Sequence, residues 1–573
     1  MTPKSEQAGQ PKVGGSVAVA YLCLLKSRGV DWLFANAGTD FAPIIEALTK
    51  GSRDGRPMVE AVPITHENVA VGMAHGYYLV TGKPQAVMFH VNVGTANALM
   101  GLINAARDNV PILFTSGRTP ITEAGRTGSR DLPIHWGQEM FDQAGMLREL
   151  VKWDYELRYG EQIEAIVDRA LATAMAEPKG PVYLSLPREA LAEPCAGVGI
   201  QESTTMPAPA AAAPNDDAID QAVRMLEEAK HPLVIVGRGS AGTFEPLAAL
   251  ADRLALPVVH HWASRLGMAT DHPLHAGFDV AGWLEEADVI LTVDAMVPWI
   301  PDRHRLADDC KIIQLGADPY FSDLPMRSFP ATLAIAADPA KALEAMVERC
   351  HRGERSSYVE RHGGLVARIE TARMAGLERA LAGRATPMSA GWISHCIDQA
   401  KPDDAIVVTE LGVNVGAMTF KKPDSLLSHS LAGGLGWGLP TALGAKLAAK
   451  DRLVIAAVGD GSYMFANPTA CHQVAEALDI PLLTIVFNNG VWNAVRKSTK
   501  AVYPDGHASR ANRMPLSSLN PAPDYETIVA ASRGHGERVE DPDALPDALN
   551  RAISMVMNER RQVLLNVVCA IDG

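Results

Sequence analysis

Val458-Gly459-Asp460-Gly461-Ser462 is followed, after a helix-like stretch, by Ile480-Pro481-Leu482-Leu483-Thr484-Ile485-Val486-Phe487-Asn488-Asn489-Gly490. Residues 453–458 form a short apolar run ending in glycine, which fits a buried parallel strand. Residues 481–487 read as the next strand, capped by Asn488-Asn489-Gly490. Gly459 and Gly461 let the backbone turn sharply and come close to a ligand. Ser462 can start a helix, whose free N–H groups attract phosphate. Asp460 then stands at a strand's carboxyl end, where open α/β sheets bind ligands. A carboxylate, the Asn489 amide and a nearby backbone carbonyl suit magnesium, which takes few oxygens from protein and the rest from phosphate and water. Either half alone reads as an ordinary turn, since D-G and N-G are common turn dipeptides. Both together, at this spacing and each at a strand end, point to a clamp for a metal and a diphosphate.

The chain has 573 residues, room for three or four domains. Charged residues make up 21% and hydrophobic ones 47%, as in a soluble globular protein. The net charge of −14, with no concentrated basic patch, disfavours a nucleic-acid partner. Residues 1–15 are polar and lack the apolar core of a secretory signal. No apolar run approaches the length that crosses a bilayer, so no membrane partner is expected. Cys23, Cys195, Cys310, Cys350, Cys396, Cys471 and Cys569 are scattered, which indicates neither a disulfide framework nor a zinc site. A reducing cytoplasm is the expected home.

Residues 206–214 read Met-Pro-Ala-Pro-Ala-Ala-Ala-Ala-Pro, an extended spacer. A second boundary falls within the highly charged residues 352–387, which include a helix expected at 365–381 with Gly383 as its stop. The expected organisation is three doubly wound α/β domains with mostly parallel sheets, at residues 12–200, 215–350 and 385–573. The outer two look alike. Residues 84–90 predict a strand, Gly94-Thr95 a turn, 96–108 a helix and 110–115 a strand. Residues 453–458, 459–462, 469–478 and 480–487 repeat that order. Two similar βαβ halves suggest duplication and a site shared between them.

The middle domain carries Gly237-Arg238-Gly239-Ser240-Ala241-Gly242 after the apolar run 233–236. A dinucleotide site also needs an acid at the end of the next strand. That strand, 256–259, ends instead in His260-His261-Trp262. A structural, nucleotide-type fold is the better reading. In the first domain, Pro63-Ile64-Thr65-His66-Glu67 places Glu67 after a short strand and at the start of a helix of small apolar residues, where the helix dipole stabilises a carboxylate. By spacing alone Glu67 is a plain helix-start residue.

From about residue 12 onward the chain resembles the thiamine-diphosphate (ThDP) family of acetolactate synthase, pyruvate decarboxylase and benzoylformate decarboxylase. The resemblance rests on Asp460 and Asn489, on the His66-Glu67 pair, and on Leu431-Ala432-Gly433-Gly434-Leu435-Gly436-Trp437-Gly438. It implies a pyrimidine-binding, a central and a diphosphate-binding domain. It implies magnesium held by Asp460, Asn489 and the Val491 carbonyl. Asp460 and Asn489 are two residues further apart than in relatives, with the excess placed within 464–468. It also implies that Glu67 hydrogen-bonds the cofactor pyrimidine and so promotes formation of the C2 ylid. Leu435 would hold the cofactor bent, and Gly412, Val413, Gly433, Gly461, Ser462 and Trp492 would contact it. The family's two half-sites come from different subunits, which implies a homodimer or homotetramer.

Within the family, His90-Val91-Asn92-Val93-Gly94-Thr95 most resembles benzoylformate decarboxylase, with His90 at its catalytic histidine and Thr39 at its substrate-binding serine. His90 alone also reads as a satisfied strand-end histidine. No second catalytic histidine matches near residues 297–301, although His304 is close by in sequence. Ser498 replaces an aromatic wall residue. The resemblance therefore implies a non-oxidative 2-oxo acid decarboxylase or C–C lyase working through a carbanion–enamine. The alternative is an acetolactate-synthase-like carboligase, and FAD in the middle domain goes with that alternative only. A non-catalytic nucleotide-binding regulator is a third reading, against which the intact Glu67, Asp460 and Asn489 stand.

Overall fold

The computed structural model describes residues 12–199, 206–350, 356–511 and 513–571. Residues 1–11 of the opening segment and 352–355 of the second boundary lie outside the described residues. The chain divides into two compact units, Met1–Ala210 and Ala211–Gly573.

The first unit is built on a six-stranded sheet. Its spatial order is Glu60–Pro63, Trp32–Asn36, Gln85–Phe89, Ile112–Arg118, Val182–Pro187 and Asp154–Glu156. Every pairing is parallel. Gln85–Phe89 and Val182–Pro187 are buried throughout. That is expected of a parallel sheet covered on both faces, and it explains their continuous apolar sequences. Helices Val17–Ser27 and Ile163–Met175 share one apolar core with these strands.

The second unit holds two parallel sheets. The first runs Val258–Val259, Pro232–Val236, Val289–Val293, Lys311–Gly316, Leu333–Ala336. The second runs Leu426–Ser428, Ile406–Glu410, Val454–Gly459, Leu483–Asn488, Val563–Val568, His535–Val539. In chain order, the six-stranded sheets of both units read second, first, third, fourth, sixth, fifth. The likeness expected of the outer domains is thus a shared strand order. The spacer at 206–214 carries no helix or strand, and the charged stretch after residue 355 is one helix, Ser356–Ala382. Among the described residues, no helix is long and apolar enough to cross a membrane.

Three local expectations change. Gly94 and Thr95 are not a turn but lie inside the helix Val91–Asn97. The buried Thr95 hydroxyl donates to the Val91 carbonyl (2.5 Å), which gives it a helical place. The helix at the glycine-rich motif starts at Asp460, with extended Gly459 as its cap, and not at Ser462. The Ser462 hydroxyl instead bonds the Glu410 carboxylate. The strand before His260 shrinks to Val258–Val259.

Candidate active site

In the first unit, strand Glu60–Pro63 leads to His66, which caps helix Glu67–Thr81 by accepting the Asn68 N–H on Nδ1 (3.2 Å). Glu67 is the first helical residue, where the helix dipole favours its charge. Its Oε2 accepts from the Asn97 amide at 2.6 Å. His90 follows strand Gln85–Phe89 and caps helix Val91–Asn97. The two helix starts open onto one cleft of about 530 Å³, lined by Asn36, Glu67, His90, Val93 and Asn97 among others. A Cβ on Gly94 would come within 3.2 Å of Glu67 Oε1, so the small residue lets the carboxylate sit over this helix. Thr39 is exposed and is not among the cleft's lining residues. Its carbonyl accepts from Arg188 (3.3 Å), and it starts the turn Thr39–Phe41. Next to it, and unmarked by any sequence motif, Asp40 places Oδ1 2.5 Å from His90 Nδ1. This bond, first among the causes, raises the His90 pKa above the usual histidine value.

In the second unit, Asp460 is only 3% exposed. Its Oδ1 accepts from Gly461 N–H (2.8 Å) and its Oδ2 from Gly490 N–H (2.7 Å). Burial raises its pKa, and these backbone donors act against that rise. The Asn489 amide oxygen accepts the Val491 N–H (3.0 Å), which orients the side chain. Val491 bridges to Ser518, and Trp492 N–H donates to the Ser517 carbonyl (2.7 Å). The Trp492 ring stacks edge-on against Phe465 and lies where a Gly461 Cβ would be, 2.2 Å away. Residues 464–468, where the resemblance places the excess length, join helices Asp460–Phe465 and Pro468–Ala477 through left-handed Asn467.

The glycine-rich loop is tied down by a residue that sequence reading passes over. Glu410 ends strand Ile406–Glu410, is 1% exposed, and accepts the N–H groups of Gly436 (2.8 Å) and Gly438 (2.7 Å). Burial pushes its pKa up to about 7, although those donors oppose the rise. Leu435 is half-buried within that loop. Gly433 has φ +69° with nothing within 4 Å of its Cβ position, so its conformation is what demands glycine. Gly412 follows Glu410 and left-handed Leu411, and its Cβ would lie 2.8 Å from the Ala457 carbonyl oxygen. Val413 is partly buried against the core of this sheet.

The oxygen donors of Asp460, Asn489 and the Val491 carbonyl match what a hard divalent cation takes. A single carboxylate is enough there, because phosphate supplies further charge. Among the described residues, no group of three or more His, Cys, Asp or Glu gathers as a metal cluster.

In the middle sheet, the glycine motif meets its own chain closely. A Cβ on Gly239 would lie 1.9 Å from the Leu266 carbonyl oxygen, and one on Gly237 2.6 Å from Ala295 Cα. These glycines pack against their own chain. The strand order reverses between Pro232–Val236 and Val289–Val293, where such sheets bind ligands. An Arg238–Asp294 ion pair (3.0 Å) spans that point, and Arg238 lies over the Phe321 ring. His260 is buried, bonded to His275 (2.9 Å) and to Gly267 N–H (2.8 Å), and burial lowers its pKa to about 3. His304 accepts from Ile300 N–H (2.9 Å) and stacks edge-on against His261.

Three family descriptions match the chain. They are Thiamine pyrophosphate enzyme, N-terminal TPP binding domain (residues 16–146), central domain (219–346) and C-terminal TPP binding domain (411–567). A probable 2-ketoarginine decarboxylase of Pseudomonas aeruginosa is 28% identical over 95% of this chain and 92% of its own. The benzoylformate decarboxylase of that organism is 28% identical over 82% and 86%. A thiamine diphosphate-dependent 4-hydroxybenzoylformate decarboxylase of Rhodococcus jostii RHA1 superposes with a TM-score of 0.78 at 24% identity, covering 97% of this chain and 100% of its own. These matches span all three sheets, and the non-catalytic reading gives way: the chain belongs to the thiamine pyrophosphate enzyme family.

Proposed function

We propose that this chain is a ThDP- and magnesium-dependent, non-oxidative 2-oxo acid decarboxylase or C–C lyase. The observation that carries the reading is one cleft shared by Glu67 and His90. The relatives named as decarboxylases of 2-ketoarginine and benzoylformate support it. Asp460, Asn489 and the Val491 carbonyl hold the metal and through it the diphosphate. Gly412, Val413, Gly433, Leu435, Gly461, Ser462 and Trp492 line the cofactor. When bound, ThDP supplies the carbon nucleophile and the electron sink.

The chain's own groups do the rest. Glu67 offers a fixed carboxylate for a hydrogen bond to the pyrimidine ring, a task of matched proton affinity. His90 holds and hands on a proton at Nε2. Thr39 lies outside the lining of this cleft, so its hydroxyl would serve only a substrate that extends beyond it. The two half-sites work as a pair drawn from different subunits of a homodimer or homotetramer in the cytoplasm.

The test is a panel of 2-oxo acids and 2-hydroxyacyl compounds with and without ThDP and Mg²⁺, scored for CO₂, aldehyde and coupled product. Cofactor-dependent CO₂ and aldehyde are expected. A coupled product, with flavin absorbance in the purified protein, would replace this reading by a carboligase. No cofactor-dependent conversion would sink both.

A further inference from the structure

Asp40 is a buried acid, 2% exposed, and it does two things at once. Its Oδ1 meets His90 Nδ1 at 2.5 Å, and its Oδ2 accepts the Val91 N–H at 3.3 Å. Val91 has φ +31°, a left-handed conformation that a β-branched residue seldom adopts. One carboxylate therefore holds both the ring and the strained backbone behind it. One glycine makes room for the ring and another for the carboxylate. A Cβ on Gly38 would lie 2.1 Å from His90 Nδ1, and one on Gly117 1.5 Å from Asp40 Oδ2.

A carboxylate only accepts, so the neutral imidazole keeps its proton on Nδ1 and leaves Nε2 as an acceptor. His90 Nε2 faces the Gln138 side-chain nitrogen at 3.1 Å. The Gln138 backbone is fixed by its N–H to Ile134 (2.9 Å) and by the Thr119 hydroxyl on its carbonyl (3.1 Å). The Gln138 side-chain oxygen is buried without a hydrogen-bond partner. Such an orphan acceptor is unfavourable. When a proton binds Nε2, two N–H groups face each other. Turning the amide over removes that conflict and places the orphan oxygen on the new Nε2–H.

We propose that Asp40 and Gln138 make His90 a two-state proton carrier: Asp40 is the positioning residue that fixes the imidazole, and the Gln138 amide turns when the proton arrives at Nε2. In the absence of substrate the proton comes from hydronium: one of its O–H bonds breaks as the Nε2–H bond forms, water is released, and no other covalent bond changes. The charged groups facing the ring are Asp40 and Glu67, which favour the imidazolium, and His135 on the helix Ile134–Gly137, which opposes it when charged. This deepens the function proposed above and rests on its use of His90.

The test is carbethoxylation of His90 in the full-length protein, followed by mass spectrometry across pH without substrate. The reagent attacks neutral imidazole, so the midpoint reports the ring's proton affinity. Wild type should titrate above the ordinary histidine value of about 6.5. Asp40→Asn should lower the midpoint by about one unit or more. Gln138→Leu should lower it too and raise the limiting rate at high pH by freeing Nε2, whereas Gln138→Glu should raise it. Midpoints unchanged in all three variants would overturn the proposal. If Asp40→Asn fails to fold by circular dichroism, the two Gln138 variants decide. The midpoints need no turnover, whereas full turnover by His90→Ala would sink the catalytic reading alone, so the two can fail separately.

Discussion

The first and last sheets have one strand order and put different chemistry at the same strand ends. Beyond the first strand of one, Asp40 grips His90, which stands past the third strand. At the end of the first strand of the other, Glu410 grips the Gly436–Gly438 backbone, and Asp460 stands past the third strand. One half offers a carboxylate and an imidazole on one cleft. The other offers oxygens, glycines and a carboxylate held by backbone donors. The scaffold decides where ligands meet the protein, since both sites lie beyond carboxyl strand ends. The residue at each end decides what is done there.

If that division holds, the two halves should break differently. Asp460→Ala removes a carboxylate from the clamp. It should raise the ThDP–Mg²⁺ dissociation constant by on the order of 100-fold or more, about 3 kcal/mol, as read by calorimetry. Glu67→Gln should leave that constant nearly unchanged and lower kcat by roughly 10²–10³-fold, within the range for positioned acid–base groups. Equal losses of affinity in both would erase the contrast.

Glu410 gives a sharper, pH-dependent mark. Its folded pKa of about 7 lies above the ordinary glutamate value, so the folded state binds its proton more tightly than the unfolded chain does. The associated stability is full below about pH 4.3 and is lost as pH rises through about 7, amounting to about 4 kcal/mol. Glu410→Gln should flatten that slope in denaturant melts between these values. A slope identical to wild type would show that the buried acid does not titrate there. The smallest effect should come from Gly461→Ala, whose methyl meets the half-exposed Trp492 ring. We expect a cost of about 1–3 kcal/mol and a shifted tryptophan emission. An unshifted emission would mean that the ring does not rest on this glycine.

The parts of the proposed site that are legible in the sequence are those whose signal is local. Asp460 and Asn489 announce themselves by glycines at strand ends, and Glu67 by its place before a helix. Asp40 and Glu410 do not. Asp40 finds its partner 50 residues away, and Glu410 bonds loop positions 26 and 28 residues on. Such contacts exist only once parallel strands align their ends. Gly94-Thr95 reads as a turn because glycine breaks helices in isolation, yet buried side-chain bonding keeps it helical. The Gly237–Gly242 pattern looks like a dinucleotide loop, but Gly237 and Gly239 pack closely against Ala295 and Leu266.

The most direct test of the division of labour is the exchange of the thiazolium C2 proton of bound ThDP for deuterium, followed by quenched-flow NMR at saturating cofactor. Wild type should exchange at least roughly 100-fold faster than Glu67→Gln, in which the clamp is intact but the acid–base partner is gone. Equal rates in the two proteins would contradict the assignment of activation to the Glu67 half.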